Sequence, residues 1–313
     1  MTILRKTLGM LGLAASLAAG MALLTATDAQ AMHKPENNAT RVLIITFDGI
    51  RVDGLQQANT PNIDALIKAG AASMQTRDVM PSVTLPNYTS ILCGAGPEIH
   101  GVADNKWRFD NHTLEPVETD EDGYFPSVFK VLKDNVSDVK TAFYGNWRTL
   151  FLPYNIKAID DSMYVANEYI PLYERAFEFI SENRDKPTFT FLYTGHTDHM
   201  GHVHEWMSPE YIQSIEEGDA EIGRLVAKLK DAGLYNDMYI MFISDHGGVG
   251  KHHGGLSKEE MTVPWVIVGP GIKKGFTITE PNNTVNTAST VLRIFGVKQP
   301  LSWTGEVPES IFK

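Results

Sequence analysis

Residues 42–47 (VLIITF) form an unbroken apolar run rich in β-branched side chains. Such a run marks a strand buried on both faces, because a half-exposed strand would alternate with polar residues. Similar runs occur at 188–193, 238–243 and 265–268. Helical spacing fills the intervals. It is clearest over 208–230, where Ser208 is a candidate cap and Pro209 takes the first helical position. Tyr211, Ile215, Ile222, Leu225, Val226 and Leu229 then fall on one side, and Gly233 ends the helix. A further helix is expected to run through Pro86 towards Cys93, closed by Gly94. Strand and helix alternate, which predicts an α/β fold with a mainly parallel central sheet flanked by helices.

In such sheets ligands gather beyond the carboxyl ends of the strands. Asp48 directly follows the first run, Asp198 lies a few residues past the second, and Asp245 follows the third. Three strands are therefore expected to deliver aspartates to one edge. Histidines concentrate there too: seven of the chain's ten lie between His196 and His253. Carboxylates and imidazoles together are the usual oxygen and nitrogen ligands of zinc. Asp198-His-Met-Gly-His202 spaces a carboxylate and an imidazole by four, which one helical turn brings to one face. In Ser244-Asp245-His246-Gly247-Gly248, adjacent ligands need a turn, and the glycines allow it. Of His252 and His253, one is expected to be a ligand and the other a neighbour. His196, His199 and His204 are expected to be supporting or surface groups.

Thr84, in Pro81-Ser-Val-Thr84-Leu-Pro-Asn87, is the candidate nucleophile. At a helix N-terminus, free N–H groups and the dipole favour an alkoxide or a phosphate. The plain alternative is a helix-capping threonine; Ser82 and Thr89 are weaker rivals for the nucleophile.

The chain has 313 residues and a formal net charge of −11. That acidity argues against a nucleic-acid polymer as partner, since such proteins carry a basic footprint. Arg5 and Lys6, an apolar stretch over 8–24 and Ala29-Gln-Ala31 read as a cleavable secretory signal at 1–31. Periplasmic or secreted placement follows, with no membrane span in the mature form. Cys93 is the only cysteine, so no intramolecular disulfide forms, and its apolar surroundings predict a buried thiol. Residues 107–125, aromatic and acidic without periodicity, are read either as a flap over the site or as a solvated excursion.

The motifs as an ordered set resemble the alkaline phosphatase superfamily, and most its nucleotide pyrophosphatase/phosphodiesterase branch. The matching stretches include the first strand through Asp48-Gly-Ile-Arg51, Pro81-Ser-Val-Thr84-Leu-Pro-Asn87, Pro97-Glu-Ile-His100-Gly-Val-Ala-Asp-Asn105, Asp198-x-x-Gly-His202, Ser244-Asp-His246-Gly-Gly and His253-Gly-Gly. The resemblance implies one catalytic domain over 32–313 and two divalent metal ions, zinc by preference. It implies that Asp48, Thr84, Asp245 and His246 hold one, and Asp198, His202 and His253 the other. His253 is preferred over His252 because the family's last ligand directly precedes glycine. The resemblance further assigns Asn105 to a non-bridging phosphoryl oxygen and makes His100 a structural residue. It implies hydrolysis of phosphodiester or pyrophosphate bonds in small molecules through a phospho-threonine. Leu85 departs from the branch, whose nucleotide-hydrolysing members carry an aromatic residue after the nucleophile. No Lys or Arg occurs from 78 to 105. A dianionic monoester usually draws such a cation, so its absence favours a diester. The alternatives are a phosphomonoesterase, a phosphonoacetate-type hydrolase, and an exported protein that binds metal or phosphate without turnover.

Overall fold

A computed structural model describes residues 40–313. The expected leader at 1–31 lies outside the described residues. Strand β1 (Arg41–Phe47) leads to α1 (Val52–Gln57), α2 (Pro61–Ala69), β2 (Ala71–Arg77), α3 (Thr84–Cys93), α4 (Pro97–His100) and α5 (Val128–Asn135). Next come β3 (Lys140–Gly145), β4 (Asp161–Tyr164), α6 (Ile170–Glu182), β5 (Thr188–Thr194), α7 (His196–His204) and α8 (Pro209–Asp231). The chain continues with β6 (Met238–Ile243), α9 (Lys258–Met261), β7 (Thr262–Val268), β8 (Phe276–Thr277) and α10 (Asn286–Phe295).

The strands form one sheet in the order β4-β3-β5-β1-β6-β7-β2-β8. Every neighbouring pair is parallel except the two that β7 makes, with β6 and with β2. The mainly parallel α/β fold expected from the sequence is what is observed. The apolar runs at 42–47, 188–193 and 238–243 are the three adjacent central strands β1, β5 and β6.

Their side chains divide by parity. Val42, Ile44, Phe191, Tyr193, Met241 and Ile243 pack on one face with α3, α5 and α10. Leu43, Ile45, Phe47, Leu192, Ile240 and Phe242 pack on the other with α1, α2, α6 and α8. Two cores explain why these strands read as continuous hydrophobic runs. Helix α8 begins as its sequence predicts: Ser208 Oγ accepts from Tyr211 N at 3.2 Å, Pro209 opens the helix, and Gly233 at φ +71° follows its end. No helix among the described residues is long and apolar enough to cross a membrane.

Register positions the site. Phe47 lies opposite Thr194, and Thr46 opposite Ile243, so the three central strands end level. The Asp48 N–H continues the ladder to the Thr194 carbonyl at 2.9 Å. Whatever follows these strands is therefore delivered to one rim.

Candidate metal centre

Asp48 comes directly after β1, and Asp245 and His246 follow β6 after Ser244. Asp198 and His202 sit one turn apart on α7, and His253 belongs to the loop between β6 and α9. These six side chains fall into two groups. Asp48, Asp245 and His246 are fully buried; Asp198, His202 and His253 are more open. Within each group the available ligand atoms lie within 4.8 Å of one another. Thr84 is the first residue of α3, and its Oγ1 lies 3.2 Å from His246 Nε2. The imidazoles of His246 and His253 stack with ring centroids 3.8 Å apart, which joins the two groups.

Backbone carbonyls set the histidine tautomers. Nδ1 of His246 donates to Gly247 O, Nδ1 of His253 to Ser82 O, and Nδ1 of His202 to Lys251 O, each at 2.8 Å. A carbonyl only accepts, so each Nδ1 carries a proton, which leaves Nε2 as the ring's available ligand atom. Burial pulls the pKa of His246 down to about 3 and that of His253 to about 4, so both are neutral near pH 7. Yet His246 Nε2 faces Asp48 Oδ1 at 3.3 Å and Asp245 Oδ2 at 3.2 Å. His202 and His253 face Asp198 Oδ1 at 3.5 and 3.7 Å.

Those same oxygens, Asp48 Oδ1, Asp198 Oδ1 and Asp245 Oδ2, are buried and receive no hydrogen bond. Burial raises the pKa of all three aspartates, and for Asp48 the charges of Asp245 and Asp198 add to it. The Nε2 atoms of three imidazoles thus converge on three orphaned carboxylate oxygens, with lone pairs at His246 and His253. Protein hydrogen bonds leave this arrangement unsatisfied, whereas divalent cations of the zinc type satisfy it. The residues present fit such ions.

The loop before α3 is held by one side chain. Asn87 Oδ1 accepts from Val79 N at 2.8 Å, and its Nδ2 donates to the carbonyls of Val79, Pro81 and Val83 at 3.2, 3.0 and 3.1 Å. Asn105 Oδ1 accepts from Leu85 N at 2.8 Å, beside Thr84. Its Nδ2 has no acceptor among the described residues and remains a donor. Leu85 itself is fully buried.

The rival residues are engaged elsewhere. Ser82 Oγ donates to Gly255 O at 2.8 Å and accepts from Gly254 N, while Thr89 Oγ1 donates to Leu85 O. His100 is buried, accepts from Val102 N at Nδ1, and lies 2.9 Å from Ser90 Oγ through Nε2. His196 pairs with Glu217, and His199, His204 and His252 are partly or fully exposed outside both groups. Residues 107–125 form an irregular excursion pinned by the buried Trp107 and Phe125 and by the Val117 N–H to the Ile99 carbonyl.

Several contributors escaped the sequence reading. Tyr193 Oη donates to Asp48 Oδ2 at 2.5 Å, Thr197 Oγ1 donates to the Asp48 carbonyl, and Ser244 Oγ accepts from Ile50 N at 2.9 Å. The buried Trp206 touches the outer histidines. Only Tyr193 carried a signal, a phenol in an otherwise apolar run.

Fold and site together define an alkaline phosphatase-like α/β protein with paired candidate metal-binding groups at the ends of its central strands. The family model described as type I phosphodiesterase / nucleotide pyrophosphatase matches residues 42–253. The chain belongs to that family. It is 29% identical over 219 residues to ectonucleotide pyrophosphatase/phosphodiesterase family member 1 of Mus musculus, a match covering 66% of this chain and 24% of the relative. It is 27% identical over 220 residues to the bis(5'-adenosyl)-triphosphatase of Bos taurus, covering 66% of this chain and 47% of the relative. The chain thus spans from about a quarter to about half the length of these curated relatives. Among solved structures, murine ectonucleotide pyrophosphatase/phosphodiesterase 5 superposes with a TM-score of 0.74 at 16% identity, covering 87% of this chain and all (100%) of that one. An inactive variant of that murine protein in complex with AMP superposes with the same TM-score of 0.74, at 15% identity, covering 89% of this chain and 100% of that one.

Proposed function

We propose that this chain is an exported hydrolase that cleaves phosphodiester or pyrophosphate bonds in small-molecule substrates, with two divalent metal ions, preferably zinc. The observation that carries the reading is the Thr84 hydroxyl at the N-terminus of α3, 3.2 Å from His246 Nε2 and beside two groups of converging lone pairs. A protein that only captures metal or phosphate needs no buried hydroxyl held there.

Asp48, Asp245 and His246, with Thr84, would hold one ion; Asp198, His202 and His253 would hold the other. When bound, the ions supply Lewis-acid charge that favours the Thr84 alkoxide and offsets negative charge on the phosphoryl group and leaving oxygen. Thr84 Oγ1 attacks phosphorus, forming an Oγ–P bond while the bond to the leaving oxygen breaks in line, and the hydroxyl proton ends on the departing oxygen. Water then attacks the same phosphorus, the Oγ–P bond breaks, one proton of the water restores the Thr84 hydroxyl and the water's OH stays on phosphorus. The Asn105 amide, pinned through Oδ1, donates Nδ2–H to a non-bridging oxygen, and the N–H groups at the start of α3 add to this stabilisation. The hydrogen bonds of Asn87 keep the nucleophile's loop from drifting between the two steps.

The stretch from 78 to 105 lacks Lys and Arg, which suits a monoanionic diester better than a dianionic monoester. Leu85 is packed into the core, so that position offers no face for stacking on a nucleobase. The test is turnover of bis(p-nitrophenyl) phosphate against p-nitrophenyl phosphate by zinc-loaded enzyme. Faster diester turnover that chelator abolishes is expected. Equal or faster monoester turnover would reverse the substrate assignment.

A further inference from the structure

Helices α7 and α8 are joined by Glu205-Trp206-Met207-Ser208, and this short link is unusual. Glu205 and Met207 have φ of +83° and +74°, a region that side chains other than glycine rarely adopt. Both lie beside Trp206, which is 5% exposed. The backbone is thus bent on each side of one indole to turn it inward. Such outliers persist where the surroundings over-determine them.

The surroundings of the indole belong to both ligand groups. Its ring stands edge-on to His202, with centroids 5.1 Å apart at 82°, and 6.0 Å from the ring of His253 at 65°. Its Nε1–H donates to the carbonyl of Gly49, the residue after Asp48, at 2.8 Å. Its flat faces meet backbone at Gly201, before His202, and at Gly248, two residues after His246. A Cβ at those glycines would lie 2.7 and 2.3 Å from indole atoms. The Trp206 N–H also donates to the Gly250 carbonyl at 2.8 Å, fastening the loop that carries His253.

We infer that Trp206 is a positioning residue for the outer ion. It touches no reacting atom. It fixes the separation of His202 and His253, which arrive from a helix and from a loop, and ties both to the strand tip that bears Asp48. His202 is the most exposed of the six candidate ligands, with its side chain 39% accessible, so it depends most on an external wall. This inference rests on reading Asp198, His202 and His253 as ligands.

The test is zinc binding to metal-free protein, measured by competition with a chromophoric chelator, for the wild type, Trp206→Ala, Trp206→Phe and Trp303→Ala. Trp303 is a matched control: it is 4% exposed, packs against Gly94, donates its N–H to the Pro126 carbonyl, and lies in the other core. The wild type is expected to bind two zinc ions. Trp206→Ala is expected to weaken one of them roughly tenfold or more, Trp206→Phe by a smaller factor of about three, and Trp303→Ala neither. Circular dichroism separates loss of metal from loss of fold. If Trp206→Ala does not fold, Trp206→Phe decides, and binding equal to wild type overturns the inference. So does equal weakening by Trp303→Ala, which would make the effect one of general packing. A wild type that takes up no zinc would overturn the metal centre itself.

Discussion

Asp78, just beyond β2, is 1% exposed, and neither of its carboxylate oxygens receives a hydrogen bond. Burial, and next the charge of Asp245, push its pKa up from 3.8 to about 9, against a smaller pull from Arg77. Between those values the folded chain binds a proton that the unfolded chain does not. The contribution of Asp78 to stability is therefore whole below about pH 3.8 and is lost as pH rises towards 9. Each pH unit in that window costs about 1.4 kcal/mol, so at pH 7 the penalty approaches about 4 kcal/mol. Asparagine has the same shape and never ionises. Asp78→Asn is expected to stabilise the metal-free protein by about 2–4 kcal/mol at pH 7, the lower figure allowing for water that reaches the carboxylate. Near pH 4 the gain is expected to vanish. Zinc loading shrinks it, because neutralising Asp245 removes the second largest cause of the shift. The assay is urea unfolding of both proteins in chelator at half-unit steps from pH 4 to 8. Parallel curves, or an asparagine variant that is less stable at pH 7.5, would refute the reasoning.

Thr84→Ala is expected to keep the fold by circular dichroism and to lose at least about 10³-fold in diester turnover; full activity would remove the covalent step. Tyr193→Phe deletes the 2.5 Å hydrogen bond to Asp48 Oδ2, and zinc affinity at the buried group is expected to fall by about 10- to 100-fold. Competition titration checks it, and unchanged affinity would make the phenol a packing group only. At Gly70 an added Cβ would lie 2.0 Å from the Ile267 carbonyl oxygen. Gly70→Ala is expected to cost at least about 2 kcal/mol in urea unfolding, since backbone in a sheet yields little; a shift within error would show that the α2–β2 junction is pliant.

The central strands were legible because burial on both faces leaves no polar residue to interrupt them. β7 was legible only from Trp265 onward, although it starts at Thr262. Pro264 hid the rest, and its place explains why a proline is tolerated. It lies opposite the irregularity between Ser73 and Thr76 of β2, and pairing with β6 begins only at Trp265, so neither neighbour needs an N–H donor at that position. β2, β3, β4 and β8 stayed hidden; in β3 only Ala142, Phe143 and Tyr144 make an unbroken apolar stretch. β2 and β4 mix small and polar residues towards the margins of the sheet, and β8 has two residues. Asp48, Asp245 and His246 were legible because aspartates and histidines at the ends of apolar runs have few structural uses, Asp198 and His202 by their spacing of four, and His253 over His252 only through the family resemblance. Asn87, Tyr193 and Trp206 were not, since a residue that braces a ligand through one polar atom reads as ordinary core or turn. Their partners lie far away in sequence: Tyr193 meets Asp48, and Trp206 meets Gly49.

The last residue of α3, Cys93, is fully enclosed, and burial pushes its thiol well above the usual range. It is also the only sulfhydryl in the chain. An alkylating dye therefore has a single target, reachable only when the helix bearing Thr84 leaves its neighbours. The labelling rate becomes a clock for that opening, ticking in the intact protein without any engineered probe.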